Sequence, residues 1–279
     1  MPFSFENLMS IDIQKYLNEE KIIPRTEKEI FEEVEKHTSR ENAAELNYYL
    51  LNANMQDLEF YNKVGQKVNG MAVYDYFAGM HSNTLQSNLA SLLSIVSQKP
   101  KLEKILDLCT GTGLAACLLG ECYPNSQITG IDHSEPMLAR AIERKTRRNL
   151  DNLNFLKADR DNLPFDNQSF DIITCVNGIS EGDNYGPSLQ METIRSLVMV
   201  ERITYLKKLL LPQGEMMTCT PIKFDKKINE EYKRNLLDYE KDQMKNHFYR
   251  SGFYRVDTHF TEEENAGFIV SSIILKAAA

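Results

Sequence analysis

The chain has 279 residues, of which 42% are hydrophobic and 26% are charged, an ordinary composition for a globular protein. This length predicts one large domain, or one domain with an additional cap. The net charge of -8 excludes a general attraction to nucleic-acid phosphates, except where basic residues cluster locally.

The cysteines and the first residues of the chain indicate the cellular compartment of the protein. The five cysteines form no CxxC pair and no Cys/His set with the spacing of zinc ligands, so we expect reduced thiols and no metal site. The opening sequence, MPFSFENLMSIDI, has neither a basic n-region nor a long apolar segment. These features predict a cytoplasmic protein that is neither secreted nor inserted in a membrane.

Residues 1–98 are predicted to be a helical cap that covers the substrate. The sequence Thr-Glu-Lys-Glu from Thr26 has the spacing of a capping box, and the region contains no convincing strand. The stretch 71–80, MAVYDYFAGM, crowds aromatic and acidic groups ahead of an amphipathic helix. These aromatic side chains either line a pocket or pack the cap onto the core.

Residues 99–279 are predicted to be a Rossmann-like core in which strands and helices alternate. Apolar runs predict five strands, at 105–108, 127–132, 154–158, 170–176 and 215–219. Two further β-branched stretches, at 256–260 and 268–275, are close enough to form an antiparallel hairpin. The pattern predicts an α/β fold with a doubly wound, mostly parallel seven-stranded sheet and a C-terminal antiparallel hairpin.

A highly charged stretch at 221–243 interrupts this alternation and is predicted to be a helical insertion. It would lie over the strand ends. It is either a solvated decoration or a lid over the substrate.

A Thr/Gly turn follows the first core strand and opens the next helix. Gly111 and Gly113 carry no Cβ, so the backbone there can come close to a ligand. No lysine follows these glycines, which argues against the phosphate-binding loop that ends in Gly-Lys-Ser/Thr. The turn alone is a weak indication of a binding site.

Polar residues at four strand ends strengthen that indication. Asp107, Asp132, Asp159 and Asn177 each end a predicted strand. In an open α/β sheet, ligands bind beyond the carboxyl ends of the strands. Asp132 lies about 20 residues after the glycine turn, the placement that binds the two hydroxyls of a ribose.

These motifs resemble those of the class I S-adenosylmethionine-dependent methyltransferases. The stretch 107–113, DLCTGTG, is similar to their first motif, 130–137, GIDHSEPM, to their second, and 158–165, ADRDNLPF, to their third. The resemblance covers about residues 101–276, with one departure, because Cys109 stands where the family usually has its first glycine. NAD-binding Rossmann proteins are the main competitor, but the third strand end and the final hairpin favour the methyltransferases.

The resemblance implies S-adenosylmethionine as the cofactor and in-line displacement at its sulfonium methyl group. Asp132 would bind the ribose, Met137 would lie near the adenine, and Asp159 would meet the adenine amino group. The full set of expected cofactor-binding residues is Asp107, Cys109, Thr110, Gly111, Gly113, Asp132, His133, Met137, Asp159, Arg160 and Asn177. No residue is compelled to be a general base; by location, the candidates are Tyr74, Tyr76, His81, Glu181 and Tyr185.

We expect the acceptor to be a small molecule or a short peptide, as in natural-product biosynthesis, with O-methylation slightly favoured. A homodimer is compatible with the sequence, whereas membrane and nucleic-acid partners are not expected. Two alternatives stay open: a methyltransferase acting on RNA or protein, and a non-catalytic scaffold that binds the cofactor. The first rests on the basic cluster 140–148, for which a solvated helix face is the simpler interpretation.

Overall fold

The computed structural model describes residues 11–52, 58–99, 101–179, 189–265 and 268–279. Within these ranges, the helices are α1 (Ile13–Glu19), α2 (Glu27–His37), α3 (Arg40–Asn52), α4 (Leu58–Val64), α5 (Val73–Phe77), α6 (Ser82–Val96), α7 (Leu114–Cys122), α8 (Glu135–Arg147), α9 (Leu189–Leu209) and α10 (Glu230–Arg250). The strands are β1 (Lys67–Val68), β2 (Met71–Ala72), β3 (Lys104–Leu108), β4 (Gln127–Asp132), β5 (Leu153–Lys157), β6 (Phe170–Val176), β7 (Leu210–Asp225), β8 (Arg255–Asn265) and β9 (Phe268–Ala278).

Strands β3 to β9 form one sheet in the order β5-β4-β3-β6-β7-β9-β8. The first five strands in this order are parallel, whereas β9 is antiparallel to both β7 and β8. The predicted mostly parallel seven-stranded sheet with a C-terminal antiparallel hairpin is therefore confirmed. The chain order reverses between β3 and β6, so the switch point at which such sheets bind ligands lies at the carboxyl ends of these two strands.

Helices cover both faces of the sheet because neighbouring residues of a buried strand point to opposite sides. Ile105 packs with Leu92 of α6 and Leu118 of α7 on one face. Leu106 packs with residues of α9 and α10, including Ile203 and Phe248, on the other. The two hydrophobic clusters hold the strand ends in fixed positions, which is what a binding site at this edge requires.

A third hydrophobic cluster joins the N-terminal helices to the carboxyl edge of the sheet. It contains Val34 of α2, Val64 of α4 and Phe77 of α5. Phe268 and Val270, at the start of β9, complete it. These contacts place the helices next to the strand ends that carry the expected binding residues.

A short hairpin of β1 and β2 lies in the region for which no strand was predicted. Its turn residues, Asn69 and Gly70, have φ angles of 45° and 86°. Two consecutive positive φ angles are typical of the tight hairpin turns that prefer Asn-Gly. The Asn-Gly dipeptide was therefore a usable sequence signal that the helical interpretation overlooked.

The structure differs from the predicted helical insertion at 221–243. Residues 221–225 belong to β7, where Pro221 lies opposite Ser272 of β9. Helix α10 then runs without interruption to Arg250 and packs Phe248 against the sheet. Helix α10 is the regular connection from β7 to β8. Its buried apolar side was not recognised in the sequence because most of its residues are charged or polar. Among the described helices, none is both long and apolar enough to cross a membrane.

Candidate functional site

A cavity of about 940 Å³ lies at the carboxyl ends of β3, β4 and β6. Ligand pockets usually have volumes of about 300–1,000 Å³, so this one has room for a cofactor and an acceptor together. Nine of the eleven expected cofactor-binding residues line it: Asp107, Cys109, Thr110, Gly111, Asp132, His133, Asp159, Arg160 and Asn177.

Gly113 and Met137 do not belong to this lining. Gly113 is the residue before α7, with a φ angle of 77°, and a Cβ there would lie 2.8 Å from the Cβ of Ala141 and 2.9 Å from the ring of Phe155. Met137 is 1% exposed and packs in the cluster beneath the N-terminal helices. Gly113 thus permits close packing of the turn, and Met137 lies in the core rather than at the cavity surface.

Asp107, at the end of β3, organises the turn from inside the sheet. It is 1% exposed, and its Oδ2 accepts a hydrogen bond of 2.6 Å from the Thr110 hydroxyl. Its Oδ1 accepts one of 2.8 Å from the Thr174 hydroxyl. Burial raises the pKa of Asp107 to about 6, although the two hydroxyls oppose that shift.

This pKa predicts a pH-dependent stability. The folded protein holds the Asp107 proton up to about pH 6, whereas an unfolded chain releases it near pH 4, so the unfolding free energy should fall as the pH rises between these values. The expected decrease from pH 5 to pH 7 is about 1 kcal/mol relative to Asp107→Asn, which has no proton to release. Urea unfolding of both proteins at several pH values measures it. A difference that is independent of pH, or that grows with pH, would contradict the assignment.

Asp132, at the end of β4, binds the turn from its other side. Its Oδ2 accepts a hydrogen bond of 2.8 Å from the backbone N–H of Gly111, and its Oδ1 accepts one of 2.9 Å from Ser134. Each carboxylate oxygen can accept a further hydrogen bond. Gly111 has a φ angle of 55°, and no atom lies within 4 Å of the position that a Cβ would occupy. The turn therefore presents bare backbone to the cavity beside a carboxylate with spare acceptor capacity.

The cysteine that replaces the family's first glycine has a structural counterpart in Gly178. Cys109 has a φ angle of 54°, a left-handed conformation in which glycine is the usual residue. A Cβ on Gly178 would lie 2.4 Å from the Cβ of Cys109. Gly178 therefore leaves the space into which the cysteine side chain fits, next to the end of β6.

The segments that follow β5 and β6 are bound to each other by arginines. Arg160 donates a hydrogen bond of 2.7 Å to the carbonyl of Gly178. Arg202 of α9 makes a two-point contact with Asp161, with N···O distances of 2.6 and 2.9 Å. It also donates to the carbonyl of Ile179. This pair was not predicted from the sequence, because Arg202 belongs to no motif, Asp161 has no assigned role within the third motif, and the two come together only in the fold.

The candidate bases separate into three groups. Tyr74 and His81 line the cavity. Tyr76 does not, and its ring instead lies 3.8 Å from the Arg25 guanidinium. Glu181 and Tyr185 lie outside the described residues.

His81 packs against two aromatic rings at the cavity wall. Its ring contacts those of Phe77 and Phe268, with centroid distances of 5.6 and 5.1 Å. Burial, together with the nearby Lys223 ammonium, lowers the pKa of His81 to about 4. The imidazole is therefore neutral near pH 7, although a pKa this low makes it a weak base.

Beyond the strand ends, the cavity has a largely apolar wall. Its residues come from the N-terminal helices, from β7 and β9, and from α10. They include Phe77, Ala78, Leu85, Leu89, Ile222, Leu236 and Val270. The aromatic stretch 71–80 therefore does both things that the sequence left open, because Tyr74 lines the cavity whereas Val73 and Phe77 also pack in the core.

The basic cluster 140–148 is not the solvated helix face that was expected. Arg144 is 2% exposed, and its Nε lies 2.6 Å from the Glu20 carboxylate. Arg148 also pairs with Glu20, and its side chain is 10% exposed. Burial would raise the pKa of Glu20, but Arg144 and its neighbours lower it to about 2. Two arginines of the cluster are thus committed to internal ion pairs, which removes the main feature favouring an RNA acceptor.

Known proteins resemble this chain in sequence and in fold. A family model described as a methyltransferase domain matches residues 99–254. A demethylmenaquinone methyltransferase of Thermus thermophilus is 37% identical over 112 residues, which are 40% of this chain and 50% of that protein. The match thus spans only half of that relative's length.

Two solved structures have the same fold. A protein of Nostoc punctiforme described as a candidate O-methyltransferase has a TM-score of 0.54 at 14% identity, over 83% of this chain and 70% of its own. Phosphoethanolamine N-methyltransferase 2 of Haemonchus contortus, solved with S-adenosylhomocysteine, has a TM-score of 0.51 at 15% identity, over 69% of this chain and 52% of its own. The chain belongs to the methyltransferase domain family, which confirms its resemblance to the class I S-adenosylmethionine-dependent methyltransferases.

Proposed function

We propose that the chain transfers the methyl group of S-adenosylmethionine to a small molecule or a short peptide, with a hydroxyl oxygen as the favoured acceptor atom. One observation carries the proposal. A single cavity joins the polar strand ends of the sheet to an apolar wall that is built partly by the N-terminal helices. The relative named for demethylmenaquinone supports a small acceptor.

The residues present suit S-adenosylmethionine. Asp132 has acceptor capacity for the ribose hydroxyls, and the bare backbone at Gly111 leaves space for the amino-acid end. Asp159 is exposed toward the same cavity and would accept from the adenine amino group. The bound cofactor supplies an electrophilic methyl group on a sulfonium.

The remaining wall would bind and orient the acceptor. Apolar side chains such as Leu85, Leu89 and Val270 exclude water, and close placement of the two reactants lowers the barrier to transfer. A hydroxyl acceptor must lose its proton during the reaction. His81, neutral and aligned by two aromatic rings, would accept that proton at a ring nitrogen as the hydroxyl becomes more acidic on bonding to the methyl group.

An assay of methyl transfer to a panel of phenols, aliphatic alcohols, amines and short peptides tests this proposal. We expect transfer to a hydroxyl compound, and we expect His81→Gln to lower kcat about a hundredfold at pH 7 because the proposed base is removed. His259→Gln, an equivalent change at an exposed residue outside the cavity lining, serves as the control. Transfer to amines alone would contradict the preferred acceptor atom. Full activity of His81→Gln would exclude the histidine as the base.

A further inference from the structure

Arg144 of α8 connects three segments that surround the cavity. Its Nη2 donates a hydrogen bond of 2.9 Å to Oδ2 of Asp75 in α5. Its Nη1 donates to both the carbonyl and the hydroxyl of Thr112. Its Nε binds Glu20, the residue that follows α1. One buried guanidinium therefore contacts the N-terminal helical region at two places and the glycine turn at a third.

The partners of Arg144 are themselves part of the site. Thr112 lies between the two glycines of the turn, and both Thr112 and Asp75 line the cavity. Asp75 Oδ1 also accepts a hydrogen bond of 2.8 Å from the Thr112 hydroxyl. The turn and helix α5 are thus joined directly, by this hydrogen bond, and also through the guanidinium of Arg144.

Stability alone does not account for this arrangement. The desolvation of buried charges largely offsets their mutual attraction, so a buried ion pair is weak evidence for a stabilising role. The guanidinium does, however, have a fixed planar geometry that holds several acceptors in defined relative positions. That property matters where two segments must keep a precise separation, as on the two sides of a binding cavity.

We propose that Arg144 is a positioning residue that couples the glycine turn to helix α5, so that cofactor binding at the turn also orders the helices over the acceptor side. This inference rests on the proposed function, because the ligand of the turn is taken to be the cofactor. Arg144 does not line the cavity and acts only through Thr112 and Asp75.

Arg148 offers a matched control one helical turn further on. It is also largely buried, and its ion-pair partners among the described residues are Glu19, Glu20 and Glu121. None of these acids belongs to the turn or to α5. Loss of Arg148 should therefore weaken the same ionic network without breaking the link to the cavity.

The experiment compares the wild-type protein with Arg144→Lys, Arg144→Met and Arg148→Met. Titration calorimetry gives the Kd for S-adenosylhomocysteine, and amide hydrogen exchange reports on residues 27–37 and 73–77 with and without that ligand. We expect both Arg144 variants to bind about tenfold more weakly, because the Thr112 carbonyl loses its donor and a lysine cannot reach all three partners. Arg148→Met should stay within about twofold of the wild type.

Hydrogen exchange separates positioning from general stability. The ligand should slow exchange at 73–77 in the wild type and in Arg148→Met, but not in Arg144→Lys. If Arg144→Met does not fold, Arg144→Lys decides the question. Asp75→Asn weakens the same link from its other end, because one amide oxygen must then serve both Arg144 and Thr112. The inference would be overturned if the Arg144 and Arg148 variants lost affinity equally, with each loss of affinity following the loss of Tm. It would also be overturned if the ligand protected residues 73–77 of Arg144→Lys as strongly as it protects them in the wild type. A wild-type protein that binds no S-adenosylhomocysteine would overturn the proposed function, and this inference with it.

Discussion

Replacing Gly113 with alanine should lower the unfolding free energy by at least about 3 kcal/mol. The φ angle of 77° is unfavourable for any residue with a Cβ, and the new atom would lie within 3 Å of Ala141 and Phe155. Ala141 belongs to α8 and Phe155 to β5, so relief of the overlap requires a helix or a strand to move. Urea unfolding at pH 7 measures the loss.

Gly111→Ala is the matched control for this substitution. Its φ angle of 55° is also left-handed, but its added Cβ would meet no atom within 4 Å. The expected loss of stability is therefore only about 1 kcal/mol, from the backbone conformation. The affinity for S-adenosylhomocysteine should fall instead, because the added methyl group projects into space expected to hold the ligand. Equal stability losses at Gly111 and Gly113 would contradict the packing role of Gly113.

Replacing Asp132 with alanine should weaken S-adenosylhomocysteine binding about a hundredfold, the effect of leaving the two ribose hydroxyls without their charged acceptor. The same change leaves the Gly111 and Ser134 amides without their acceptor, so the turn also loses a support. The two effects act in the same direction on affinity. Titration calorimetry of the variant measures their sum.

Asp151→Ala is the control for Asp132→Ala. Asp151 is an exposed acid that precedes β5, at the edge of the sheet opposite the cavity. The Asp151→Ala variant should bind S-adenosylhomocysteine as the wild type does. This control separates a local effect at Asp132 from the effect of a change in net charge. An unchanged affinity in Asp132→Ala would remove this residue from the ribose-binding role.

The positions of the strand-end residues could be predicted because they follow from one rule of topology. Parallel strands end at the same edge, so Asp107, Asp132 and Asn177 had to meet once the strands were recognised from their apolar runs. The hairpin of β8 and β9 could be predicted for another reason, because its two β-branched stretches lie close together in the sequence. The rule of topology could not give the length of β7, because the residues 220–225 are paired by β9 rather than by a pattern of their own.

The contacts between distant segments could not be predicted from the sequence. The arginines of α8 have the spacing of a solvated helix face, and only the fold brings Glu20 and Asp75 to Arg144 from 124 and 69 residues away. The space for Cys109 likewise depends on Gly178, which is 69 residues further along the chain. Met137 was placed near the adenine by its motif, but the N-terminal helices bury it in their own cluster. Such contacts leave no periodic pattern in the sequence.

We infer above all that the carboxyl edge of this sheet binds S-adenosylmethionine. Calorimetric titration of the wild-type protein with S-adenosylmethionine, and separately with NAD, tests it most directly. We expect saturable binding of S-adenosylmethionine and none of NAD under the same conditions. Binding of NAD without binding of S-adenosylmethionine would contradict it.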